Sequence, residues 1–134
     1  MFQRDFLLNE AQKLAELLAR LMGLKTDGNH EAFEQQFNKA IQDEYDASLE
    51  KILALNENDF TSLLQSSGYS VEKLNALSQL LYVFALPFND TSETALILKK
   101  VLLIFDTLEQ KHNYYSFENI EKRKSIYNYY NKND

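Results

Sequence analysis

Apolar residues recur every three to four positions along most of this chain, and that spacing predicts helices. Leu7, Ala11, Leu14, Leu18 and Leu21 fall on one face, with Leu8, Ala15 and Met22 beside them, and the period holds for four turns. Glu16 and Arg20 make an i,i+4 pair on the polar side. A first helix is therefore expected at about 4–23, with Gly23 placed to end it. Thr26-Asp27-Gly28-Asn29 reads as a turn. Phe33, Phe37, Ala40, Ile41 and Tyr45 then give a second stripe and a helix at about 29–46. So short a connection makes the two an antiparallel hairpin.

The stretch 48–68 is less regular. Leu49, Ile52, Leu53 and Leu55 suggest a short helix. Asn56 or Asn58 can cap another one bearing Phe60, Leu63 and Leu64, with Gly68 as its stop. Ser70 is placed as the N-cap of a helix at about 71–86 carrying Leu74, Leu77, Leu80, Leu81 and Phe84, ended by Pro87. Asp90 and Glu93 have capping-box spacing, which starts the next helix at about 91–111, with Leu96, Leu98, Val101, Leu102, Ile104, Phe105 and Leu108. These two helices form a second hairpin. Ser116 caps a last helix carrying Ile120, Ile126, Tyr127 and Tyr130, and the closing Asn-Lys-Asn-Asp is expected to fray. Between Leu80 and Phe105 the two central helices are apolar around most of their circumference. Such helices are surrounded by others or sit at an interface, here a core or a homodimer or partner surface.

Composition narrows the class. At 134 residues and 15.7 kDa the chain is the size of one domain with its own core. Hydrophobic residues at 45 % and charged residues at 25 % are ordinary for a globular protein. There is no cysteine, which excludes disulfide scaffolds, thiolate metal sites and cysteine nucleophiles. Three glycines and one proline argue against sandwiches, barrels and glycine-rich phosphate loops. The longest apolar runs, Leu80–Phe88 and Val101–Phe105, fall far short of the roughly 20 residues that span a bilayer. No secretion signal is read at residues 1–22, so the expected location is the cytoplasm, away from membranes. Asn89-Asp90-Thr91 matches a glycosylation sequon but reads as a loop and helix cap.

The net charge of −6, from 14 basic and 20 acidic residues, disfavours general nucleic-acid binding. Its distribution is uneven. Residues 111–134 hold five basic side chains against three acidic, a +2 tail on a −8 remainder.

The hairpin Leu14–Tyr45 resembles a tetratricopeptide repeat. Gly28 takes the turn-glycine position, Phe37 the large residue of the second helix and Ala40 the small residue three further on. Phe33 stands where that repeat has alanine, and Leu17 where an aromatic is common. The hairpin 71–111 looks like a more diverged relative without glycine. The whole layout is also similar to a family of small uncharacterised bacterial proteins of tetratricopeptide-like form. That likeness rests on the opening Met1-Phe2-Gln3-Arg4-Asp5-Phe6, the Leu14–Leu24 helix, the turn at Gly28 and Ser116-Phe117-Glu118. The resemblance implies an all-α, TPR-like antiparallel hairpin array of six or seven helices forming one domain over residues 1–134, and a module that binds peptides or proteins.

Candidate chemistry is sparse. Glu109-x-x-His112 puts a carboxylate and an imidazole on one helical face, as di-iron bundles do, but those need two such motifs and two further glutamates. The other histidine, His30, follows Asp27 at the same spacing with Gly28 between them. His112 also suits a helix C-terminus, where a cation is favoured. Asp27-Gly28-Asn29-x-Glu31 has alternating oxygen ligands, but its glycine is not at the sixth position that an EF-hand needs. Asp43, Glu44 and Asp46 cluster at the end of a polar face, where solvation is their expected fate. There is no nucleophile elbow, Walker loop or dinucleotide fingerprint.

The C-terminal segment stands out. Tyr114, Tyr115, Phe117, Tyr127, Tyr129 and Tyr130 interleave with Lys122, Arg123 and Lys124. Aromatics with cations can stack single strands, though Glu118 and Glu121 dilute the patch. Tyrosine and arginine are also enriched where proteins bind proteins. The expected function is a non-catalytic interaction module whose partner is a protein, a peptide or a second copy in a homodimer, with Tyr114, Tyr115, Arg123, Tyr127 and Tyr130 as contacts and no cofactor. The alternative is a small helical enzyme or metal protein using Glu109 and His112.

Overall fold

The computed structural model describes residues 2–132, with side chains from Asn9 onward. Among these the chain is all-helical, with seven helices and no strand: α1 (Phe2–Thr26), α2 (His30–Tyr45), α3 (Leu49–Ala54), α4 (Glu57–Ser66), α5 (Val71–Ala85), α6 (Ser92–His112) and α7 (Phe117–Lys132). No helix of the described residues is long and apolar enough to cross a membrane. The side chains of Met1–Leu8, including Leu7 and Leu8 of the expected first stripe, lie outside the described residues, as do residues 133–134 of the tail expected to fray. The chain forms two compact units, residues 1–55 and 56–134.

In the first unit α1 and α2 form the expected antiparallel hairpin. Lys13 Nζ meets Glu44 at 2.7 Å, Arg20 Nε donates to Gln36 at 2.7 Å, and Lys25 stands 4.7 Å over the Phe33 ring. Contacts thus advance along one helix as they retreat along the other. Leu14, Leu17 and Leu21 of α1 pack with Phe33, Phe37, Ala40, Ile41 and Tyr45 of α2 as buried residues. Leu17, not Leu18, completes the inner stripe of α1, and Leu18 is half-buried. Gly23 does not end α1. The helix runs three residues further, and Gly28 makes the turn at φ +74°, a left-handed conformation that glycine adopts without steric cost. Asn29 caps α2, its side chain accepting from the Ala32 amide.

The second unit is built on α5 and α6, which pack along their length. Eight residues of α5 and ten of α6 are buried, so their all-round apolar character is used as core. Asn56 and Ser70 cap α4 and α5 as expected. The cap of α6 is Thr91 rather than Asp90. Thr91 Oγ1 accepts from the Thr94 amide at 3.1 Å and also bonds the buried Thr94 hydroxyl. The Leu86–Pro87 peptide is cis. α4 packs on α6, where Lys100, itself buried, stands 5.1 Å over the Phe60 ring.

Ser116 caps α7 by accepting from the Asn119 amide at 3.0 Å. This helix turns a different face inward from the one the apolar spacing indicated. Its buried residues are Asn119, Ile126 and Tyr129, while Ile120 and Tyr127 are exposed. A polar residue takes a core position because three side chains satisfy it: Asn119 Nδ2 donates to Asn75 at 2.8 Å, Gln79 Nε2 donates to Asn119 Oδ1 at 3.0 Å, and Ser116 holds its amide.

Candidate functional site

The two flanks of α7 have different tasks. One flank is clamped to α6. Arg123 donates through Nη1 to Asp106 at 3.1 Å and through Nη2 to Glu109 at 3.0 Å, and its guanidinium carbon stands 5.7 Å over the Phe105 ring. Burial works against this charge. The hydrogen bonds to Tyr127, Glu109 and Asp106 outweigh it and push the guanidinium pKa up. Tyr130 donates its hydroxyl to the Ala95 carbonyl, and burial raises its pKa to about 12. Asp106 and Glu109 meet Arg123 and Ala95 meets Tyr130, so α7 runs antiparallel to α6.

The other flank faces α5 and is open. Tyr82 and Phe88 meet edge-on with ring centres 5.2 Å apart, Phe88 and Tyr129 at 5.9 Å, and Tyr129 and Tyr130 at 5.4 Å. Tyr129 is held by donating its hydroxyl to the Asn89 carbonyl at 2.9 Å. Tyr82, Phe88 and Tyr129 wall a cleft of about 750 Å³ whose rim carries Asp90, Ser125, Asn128, Asn131 and Lys132. Tyr82 and Ser125 also line an adjoining hollow of about 360 Å³ with Phe117, Glu118, Glu121 and Lys122. The two share Tyr82 and Ser125, and together they line α7 as a groove in two parts between Phe117 and Lys132. At 1.5 Å per residue that is about 22 Å.

The residues singled out from sequence divide between these flanks. Arg123 and Tyr130 are engaged inside the unit, Tyr127 is exposed beside Arg123, whose Nη1 donates to its hydroxyl at 3.3 Å, Tyr115 is exposed and Tyr114 half-buried. The structure brings Arg123 and Tyr127 onto the α6 flank, and Tyr130 bonds α6 through its hydroxyl while its ring meets Tyr129 of the groove wall. The basic triplet is compensated from within: Lys122 stands 5.4 Å over the Tyr82 ring, Arg123 holds two carboxylates, and Lys124 meets Glu121 at 3.2 Å. Glu109 is the Arg123 partner and His112 is half-buried in the last turn of α6. Among the described residues no three His, Asp or Glu side chains gather as metal ligands do. In the first unit Glu44 pairs with Lys13, and Asp46 accepts from Gln42 Nε2 at 3.1 Å. The Glu44 hydrogen bond pushes the Lys13 pKa up.

Sequence reasoning missed Tyr82, Phe88, Asp90, Ser125 and Asn128 of the groove. Tyr129 and Lys122 belong to the aromatic and basic interleaving already noted, but nothing local ties them to Tyr82, 40 or more residues earlier. Compared with protein-family models, with curated proteins and with solved structures, the chain matches none.

Proposed function

We propose that this chain is a non-catalytic binding module that takes an extended protein segment in the α5–α7 groove. The observation that carries this reading is the aromatic wall of Tyr82, Phe88 and Tyr129 under a rim of amide, hydroxyl and charged groups. An apolar floor takes a side chain, and rim amides such as Asn128 and Asn131 can donate to and accept from a peptide backbone. A groove of about 22 Å accommodates about six residues of extended chain at 3.3–3.6 Å each. Its rim carries both signs of charge, so apolar and aromatic side chains, rather than net charge, set preference. The helical-hairpin construction, which resembles tetratricopeptide repeats, supports the same reading by analogy.

Panning a random linear peptide library against the purified chain tests it. Enriched peptides are expected to carry aromatic or large aliphatic residues. Their affinity should fall at least about tenfold with Ser125→Arg, which fills the groove from an exposed helix position. It should be unchanged by Tyr115→Ser, outside the groove. Peptides that ignore Ser125→Arg would refute the site.

A further inference from the structure

We infer that α7 exchanges between two copies of this chain, so that each groove is walled by α5 of one copy and α7 of the other. This does not rest on the groove's having a peptide ligand.

Three observations carry it. First, α7, like α4, has two buried apolar anchors. Its buried apolar residues are Ile126 and Tyr129, against a far larger set on α5 and α6. The helix is held by polar clasps instead: Arg123 to Asp106 and Glu109, Asn119 to Asn75 and Gln79, and the Tyr130 hydroxyl to Ala95. Clasps of this kind open at less expense than a packed apolar stripe, because water and salt replace the lost partners. A second copy offers the identical set, so exchange preserves every one of them.

Second, the hinge can straighten. Asn113–Ser116 joins α6 to α7 and contains neither glycine nor proline. The reversal of direction depends on Asn113, which sits at φ 52°, ψ 34°, while the amides of Asn113 and Tyr114 both donate to the Leu108 carbonyl. Asparagine tolerates that left-handed conformation, but other non-glycine residues do so at a cost. Leaving it releases the hinge toward extended or helical backbone, which Lys111–Glu118 permits throughout.

Third, the hinge and the first residue of α7 carry aromatic surface that the closed chain leaves in water. Tyr115 is 65 % exposed and Phe117 76 %. In an exchanged dimer the two hinges run beside each other, and these rings gain a partner that the closed monomer does not supply. The occupant is a second copy, which carries every clasp partner that α7 already uses.

The test is light scattering of the full chain after size-exclusion chromatography over a range of concentrations. Wild type is expected to show monomer and dimer. Asn113→Ala penalises the closed hinge and should raise the dimer association constant on the order of ten- to a hundredfold, since each dimer opens two hinges. Asn113→Gly relaxes the closed hinge and should lower it. Phe117→Ser should reduce the dimer while leaving the monomer's Tm unchanged. As a direct check, copies carrying Asp106→Cys and copies carrying Tyr127→Cys, co-refolded and treated with a short bismaleimide, should give a covalent dimer joining α6 of one to α7 of the other. Arg123 bonds both of these residues within one chain, so they are neighbours across the exchanged contact as well. A monomer at every concentration for Asn113→Ala would overturn the proposal. So would a dimer that the Ala and Gly variants move in the same direction, or one without the covalent product.

Discussion

Asn119 is 4 % exposed, and both ends of its amide are bonded, one to Asn75 and the other by Gln79. Replacing it with alanine leaves two part-buried amides short of a partner, so Asn119→Ala should destabilise the chain by about 1–3 kcal/mol in urea unfolding. Arg123 is a milder case. Its side chain is 19 % exposed, but the Asp106 carboxylate is 45 % exposed and can be taken up by water once unpaired. Arg123→Met should therefore remove only about 1 kcal/mol, below the range of a fully buried pair. Tyr130 makes the pH dependence. Its folded pKa of about 12 lies above the value of the unfolded chain, so the folded state keeps a proton that the unfolded state gives up. That contribution is whole below about pH 10 and is lost as pH rises toward 12. Tyr130→Phe should flatten the fall in Tm across this window, and an unchanged slope would remove Tyr130 from the account. The glycines of the first unit give opposite signs. Gly28 has φ +74°, so Gly28→Ala should destabilise by about 1 kcal/mol, whereas Gly23 is helical, exposed and unobstructed, and Gly23→Ala should stabilise by about 0.5–1 kcal/mol.

Helices were legible because their signals are local. A cap needs one side-chain oxygen within reach of an amide two or three residues on, and Asn56, Ser70 and Ser116 supply it where the sequence places them. The same locality explains two misplacements. Asp90 and Thr91 both qualify as caps, and the choice falls to Thr91 because the buried Thr94 hydroxyl bonds it as well. Thr91→Ala should accordingly cost about 1 kcal/mol in thermal unfolding, and Asp90→Ala only a few tenths. In α7, Ile120 and Tyr127 lie seven residues apart and mark a face that turns out to be exposed. The true inner face carries Asn119, whose suitability for burial depends on Asn75 and Gln79 of another helix and could not be read from α7 alone.

At the scale of the molecule, the all-helical class and the seven elements follow from periodicity, but the groove does not. Its wall joins Tyr82 of α5, Phe88 of the following loop and Tyr129 of α7, and only the packing of α7 beside α5 brings them together. The same packing turns Arg123 and Tyr130, conspicuous in the sequence, into internal clasps. The proposed binding face thus lies on the other flank of α7 from Arg123 and Tyr127. The most direct test is to map binding on the isotope-labelled chain by NMR with a peptide enriched from the random library. The account predicts shift changes concentrated at Tyr82, Phe88, Ser125, Asn128 and Asn131. Changes confined to Tyr115 and Tyr127, with the groove silent, would contradict it.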